Sequence, residues 1–457
     1  MLARRRLRPH SRPGIAVKRS ARLIATLIAG LPLVPVAPAA AVIPPAIDKT
    51  LLPQPAPPAP LTSTEQRRPC FRSTTGATTP PGTALELDAV WPLTRGAGQK
   101  IAVIDTGVAR HRLLPNLIGG GDYVSRGDGT ADCDGHGTIV AGIAAATPSD
   151  GFSGVAPDAA VLAIRQTSNK FAADTGANGV GDVDTLAMAV RTAADLGATV
   201  INISSVACVP ATATPDDRAL GAALSYAVDV RNVVVVAAAG NVGGGCAQPD
   251  GTVGAPGEPD WNSVRSVSSP AWYDDLVLCV GSVGSDGTPS DFSLAGPWVD
   301  VAAPGENLVS LHPDGEQLID RLGRGAPISG TSYAAPVVAG LAALVRSRFP
   351  QLSAREVMRR IEDTAHTPAD GWNPFVGHGV IDAPAAVSSG TASPVAAPTA
   401  PVSVAPTAPA AVDPRPGRIA FGGAAVCVGA TVLTALVLAT NRLRRCRPET
   451  GDGVPSD

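Results

Sequence analysis

Ile328-Ser329-Gly330-Thr331-Ser332-Tyr333-Ala334-Ala335-Pro336 places a hydroxyl between a glycine turn and an apolar run. Gly330 lets the backbone turn tightly, and Val337, Val338, Leu341 and Leu344 recur at helical spacing, which predicts a helix starting beside Ser332. The free amides and positive dipole end of that helix would face developing negative charge. Ser332 is therefore a candidate nucleophile, against the plainer reading of a helix cap. Partners elsewhere in the chain decide between the two.

Upstream, Lys100 to Asp105, Ala159 to Ile164, Ala198 to Ile203 and Asn232 to Ala238 read as buried strands. Between them Val183, Leu186, Ala187, Val190 and Ala194 follow a helix face, and further helices are expected around 137–147, 215–230, 331–348 and 353–364. This alternation over residues 84–387 predicts an α/β domain with a mainly parallel sheet between helices. Sites in such sheets gather at the carboxyl ends of the strands.

The first strand ends in Asp105-Thr106-Gly107, and Asp134-Gly135-His136-Gly137-Thr138 puts an imidazole before a helical run. With Ser332 these supply an acid, a base and a nucleophile. A serine hydroxyl attacks at neutral pH only when an imidazole takes its proton, and the imidazole needs a carboxylate to fix its tautomer. Asn241, ending Ala237-Ala238-Ala239-Gly240-Asn241, could join the Ser332 amide in holding an oxyanion. Asp134 reads as a loop former, and His111 and His378 as solvated or structural.

The ends differ from the middle. Residues 1–41 read as an export signal: Arg4 to Arg22 is basic, Leu23 to about Val36 apolar, and Ala37-Pro38-Ala39-Ala40-Ala41 offers small residues for cleavage; an uncleaved anchor is the alternative. The extension 42–83 is rich in Pro, Thr and Ala and is expected either to pack across the domain or to be removed as a pro-segment. Residues 388–418 are a Pro/Ala/Thr-rich linker, 419–440 an apolar stretch long enough to span a bilayer as one C-terminal transmembrane helix, and 441–457 a tail opening on Arg442, Arg444, Arg445 and Arg447. The arginines place the tail in the cytoplasm and the catalytic domain outside a cell membrane crossed once.

Of seven cysteines, Cys427 and Cys446 fall in the span and the tail, and Cys279 reads as a small buried hydrophobe. The other four allow three pairings. The favoured set is Cys70–Cys133, stapling the extension beside the active site, and Cys208–Cys246, tying two loops after adjacent strands. No spacing resembles a zinc or calcium site, so no metal or cofactor is expected. A net charge of −3 with scattered signs gives no basic stripe, so nucleic acid is not an expected partner.

Asp-Thr-Gly, Gly-His-Gly-Thr, Ala-Ala-Gly-Asn and Gly-Thr-Ser-Tyr-Ala-Ala-Pro, in that order, resemble the subtilisin-like serine peptidases over roughly 84–387. The resemblance implies the three-layer fold of that family and a peptidase with Asp105, His136 and Ser332 as its triad and Asn241 in its oxyanion hole. Gly120-Gly121-Asp122-Tyr123-Val124, Asp132-Cys133-Asp134, Arg165-Gln166 and Gly296-Pro297-Trp298-Val299, with the basic signal and C-terminal span, look like the mycosins. That implies an extension wrapped around the domain, two disulfides, a protein or peptide substrate, and partners in an inner-membrane type VII secretion complex. A structural subunit of such a complex, with proteolysis secondary, and a general surface protease are the competing functions. Three positions depart from the broad family: Ile139 replaces a second histidine, Tyr333 a methionine, and Ser204-Ser205-Val206 lacks the glycine of a Ser-X-Gly pattern.

Overall fold

Strands built from Val, Ile and Ala with no interior charge are stable only when both faces are covered, and segments of this kind form the centre of a seven-stranded sheet. The computed structural model describes residues 42–73, 85–149, 151–174, 178–213, 215–249, 257–323 and 325–389. The expected signal, most of the linker, the 419–440 span, the tail, Cys427 and Cys446 lie outside them. No helix among the described residues is long and apolar enough to cross a membrane.

In chain order the sheet strands are β1 (Lys100–Asp105), β2 (Leu117–Asp122), β3 (Ala160–Arg165), β4 (Val200–Ile203), β5 (Val234–Ala238), β6 (Leu278–Val283) and β7 (Val301–Pro304). They lie side by side as β7-β6-β5-β4-β1-β3-β2, every pair parallel. Ile101 to Ile104 have no exposed surface, so helices must cover both faces of β1. One layer is α1 (His136–Ala145) and α4 (Thr331–Arg348), packed on each other; the other is α2 (Val183–Asp195) with α3 (Arg218–Ser225). A further helix, α5 (Ala354–Asp363), packs against α4 and β5. Helix α4 is buried on all sides from Tyr333 to Val345, whereas α2 is two-faced, with Asp182 and Thr185 forming a capping box at its start.

Four strands are expected outright and Leu276 to Val280 reads as strand-like; among the described residues the central sheet has seven strands. β2 was missed because Leu117-Ile118-Gly119-Gly120-Gly121-Asp122 is half glycine, and β7 because Val301-Ala302-Ala303-Pro304 has only one large side chain. The segment expected as one helix over 215–230 is α3 followed by a π-helical turn, Tyr226–Val230.

The extension packs across the domain. Val42 N–H donates to Trp261 C=O (3.1 Å), and Arg191 reaches Pro53 C=O (3.1 Å). Thr64–Gln66 pairs antiparallel with Ser168–Ala173, which pairs in turn with Asn178–Val180. Cys70 is bonded to Cys133 and Cys208 to Cys246, the favoured pairings, while Cys279 is free and buried.

Candidate active site

The parallel topology brings the ends of β1, β4 and β5 to one edge, and α1 and α4 begin there. Asp105 closes β1 with no exposed surface, His136 is the first residue of α1, and Ser332 is the second residue of α4. The loop after β1 and the start of α1 meet backbone to backbone: a Cβ on Gly137 would overlap the carbonyl of Gly107 and stand 3.1 Å from the Asp105 Cβ. Glycine at that position is what lets the imidazole reach the carboxylate.

His136 Nδ1 lies 2.8 Å from Asp105 Oδ1 and Nε2 lies 3.1 Å from Ser332 Oγ. An ionised carboxylate only accepts, so Nδ1 carries the hydrogen and Nε2 is left to accept from the serine hydroxyl. Burial opposes a charge on the ring, but the charge and hydrogen bond of Asp105, with Asp132 and Asp134 behind it, outweigh burial and raise the pKa of His136 above the ordinary imidazole value. The buried Tyr333 ring sits 5.0 Å from the imidazole, tilted by 41°.

Pro336 lies inside the first turns of α4 and has no N–H, so the Ser332 carbonyl loses the donor four residues on. Ser204, just past β4, replaces it: its hydroxyl donates to Ser332 C=O at 2.7 Å and accepts from Asn202 Nδ2 at 2.9 Å. The Ser204-Ser205-Val206 stretch, noted for its missing glycine, thus also holds the backbone of Ser332.

Asn241 follows β5 and is exposed rather than buried. Its Oδ1 accepts from Thr331 N–H (3.0 Å) and Thr331 Oγ1 (3.2 Å), which turns Nδ2 towards Ser332. A side chain on Gly330 would stand 3.3 Å from Ser332 Oγ and 3.6 Å from Asn241 Nδ2, so glycine keeps open the space between them. Ile139, where the broad family has a second histidine, is buried and takes no part.

Two expected bystanders stay apart. His111 is buried and bonded to Gln317 C=O and Leu113 N–H (both 3.1 Å), and His378 is tied by its backbone to Asp300. Asp134 joins the loop before His136 to Ser168 Oγ and Asn169 N–H of the hairpin that meets the extension. Asp132 and Ser204 escaped the sequence reading as contributors to the site. Ser204 acts on a segment 128 residues away, and Asp132, although most of its donors lie within six residues, joins them to Thr106 26 residues upstream, a link that spacing does not mark. Among the described residues no cluster of three or more His, Cys, Asp or Glu side chains is placed to hold a metal.

The family model of the Subtilase family matches residues 96–379. Mycosin-4 of Mycobacterium tuberculosis (strain ATCC 25618 / H37Rv) is 57% identical over 437 residues, covering 91% of this chain and 94% of that protein. The structure of the MycP3 protease from the type VII (ESX-3) secretion system is 47% identical with a TM-score of 0.71, covering 76% of this chain and 100% of that one. A chain of the intact ESX-5 inner membrane complex is 39% identical with a TM-score of 0.68, covering 87% and 99%. Likeness of that extent, across nearly the whole of each relative, means that the chain belongs to the subtilase family of serine endopeptidases and, within it, to the mycosins.

Proposed function

We propose that Ser332, His136 and Asp105 hydrolyse peptide bonds through an acyl-enzyme. One observation supports this above all: the unbroken line from Asp105 Oδ1 through His136 to Ser332 Oγ, at 2.8 and 3.1 Å. Ser332 Oγ attacks the scissile carbonyl as His136 Nε2 takes its proton, and Asp105 stabilises the imidazolium that forms. Asn241 Nδ2 and the Ser332 N–H, at the start of α4, receive the oxyanion. His136 then gives its proton to the leaving amine, and water, activated by the same imidazole, releases the acyl group.

The proposal extends to place. Relatives in the ESX-3 and ESX-5 systems support a protein or peptide substrate met at a type VII inner-membrane complex. The sequence of 1–41 supports export, and that of 419–440, flanked by arginines, supports a single anchor with the catalytic domain outside and the C-terminus cytoplasmic. The extension stays attached, held by Cys70–Cys133.

A fluorophosphonate probe on the detergent-solubilised full chain tests the chemistry. Labelling of the wild type and none of Ser332→Ala is expected; labelling that survives the substitution would overturn the assignment. Similarity to a chain inside the ESX-5 assembly also favours a second, structural role. Secretion and complex integrity would then be worse in a full deletion than in Ser332→Ala, and equal defects would remove that role.

A further inference from the structure

Gly135 holds the cap position of α1 with φ at 84°, and a Cβ there would stand 3.0 Å from the ring of Phe71. The helix start that carries His136 therefore has no cap of its own. Asp132 supplies the missing acceptor from outside the helix. Its Oδ1 accepts from Gly135 N–H (2.7 Å), Asp134 N–H (3.1 Å) and Thr106 Oγ1 (2.8 Å), and its Oδ2 from Thr138 N–H (2.9 Å) and Thr138 Oγ1 (2.7 Å). Both threonines pass the link on: Thr106 Oγ1 accepts from Gly137 N–H and Thr138 Oγ1 from Ala109 N–H, each at 2.9 Å. One carboxylate thereby ties the loop that follows Asp105 to the first turn that carries His136.

We infer that Asp132 is a positioning residue that fixes His136 between Asp105 and Ser332, a role added to the triad and resting on the triad reading. The reason is geometric. A helix terminus with unsatisfied amides frays, and fraying here would swing the imbedded imidazole off the hydroxyl; charge-assisted bonds to two of those amides hold it. The charge acts as well. His136 is faced by Asp105 from β1, by Asp132 and Asp134 from its own loop and by the phenol of Tyr333 from α4, while His312 flanks Gly135 across Phe71. Burial pushes the Asp132 carboxyl up to about 6 even against its five donors, so the cradle loosens as it protonates.

The test uses the full chain and the rate at which a fluorophosphonate modifies Ser332, a reaction that needs His136 as base but no known substrate. For Asp132→Asn, which turns an N–H towards donors, the rate per reactive site should fall roughly 10- to 100-fold, the loss expected for a displaced catalytic group. Its acid limb should also move to lower pH, because a negative charge facing the imidazole is gone. Thr106→Val breaks the relay without changing charge, so it should lose rate with the limb unmoved. An unchanged rate per site in both variants would overturn the inference, as would a loss fully explained by fewer folded molecules on thermal unfolding. If Asp132→Asn does not fold, Thr106→Val decides alone, and wild-type rate there overturns it. Failure of the wild type itself to label would instead sink the triad reading.

Discussion

The two edges of the central sheet both gather carboxylates, and they treat them in opposite ways. At the carboxyl edge Asp105 meets an imidazole and the Thr106 amide, and Asp132 receives five donors. At the amino edge, Asp274 before β6, Asp300 before β7 and Glu362 on α5 face one another, and the Asp300 carboxylate accepts from Cys279 N–H (2.6 Å). Burial first, and then like charge, raises all three above the usual carboxylate range, with Arg359 opposing the effect at Glu362. Negative charge is organised where it can serve chemistry and merely tolerated where it cannot. Changes at the first edge should therefore cost rate, and changes at the second should alter stability alone.

The sharpest separation comes from His136→Ala. Loss of the base should lower kcat by about 10⁶, the scale seen when a member of such a triad is removed, while the unfolding temperature stays near that of the wild type. Calorimetry beside a peptidase assay checks both halves, and a large fall in stability would break the contrast. Asn241→Ala should cost about 10²–10³ in kcat with KM little changed, since its Nδ2 acts on charge present only in the transition state. A rise in KM alone would mean that Asn241 binds substrate rather than the oxyanion. Ser204→Ala should cost less, on the order of tenfold: it leaves the Ser332 carbonyl without a donor, a defect of about 1–3 kcal/mol shared between stability and the placing of the nucleophile. Restored rate in Ser204→Thr would confirm that the hydroxyl is what matters.

How much of this was readable in the chain follows from how local each cause is. β1, β3, β4 and β5 are runs of β-branched and small apolar side chains, and α2 carries its own cap and stripe, so sequence alone placed them. β2 and β7 are strands only because neighbours supply their hydrogen bonds and cover, which no property of Gly119-Gly120-Gly121 or Ala302-Ala303 announces. Asp105, His136 and Ser332 were legible as candidates because each sits at an element end near glycine, and the fold brings the three together. The groups that hold these side chains in place were not: Asp132 joins the helix start at His136 to Thr106, 26 residues upstream, and Ser204 acts on Ser332 across 128 residues. Asn241 was legible as a candidate from its place after a buried strand, but its exposure and its bonds to Thr331 depend on a segment 90 residues away.

The smallest effect, and the one that probes the amino edge directly, is expected for Asp274→Asn. An unfolded Asp titrates near pH 4, whereas burial and Asp275 hold the folded Asp274 well above that. Between those values the native state binds more protons than the unfolded chain, so stability falls as pH rises through that window. Asparagine removes the titration and leaves Asp300 and Glu362 with one charge fewer to repel them. The variant should melt about 2 °C or more above the wild type at pH 8, and the gap should close as pH falls towards 4, with kcat unchanged at every pH where both are folded. A gap that is constant with pH would mean that packing and not ionisation limits this edge. A loss of kcat would mean that the two edges of the sheet are coupled, because a change at the strand starts would then reach Asp105 and Ser332 at the opposite end.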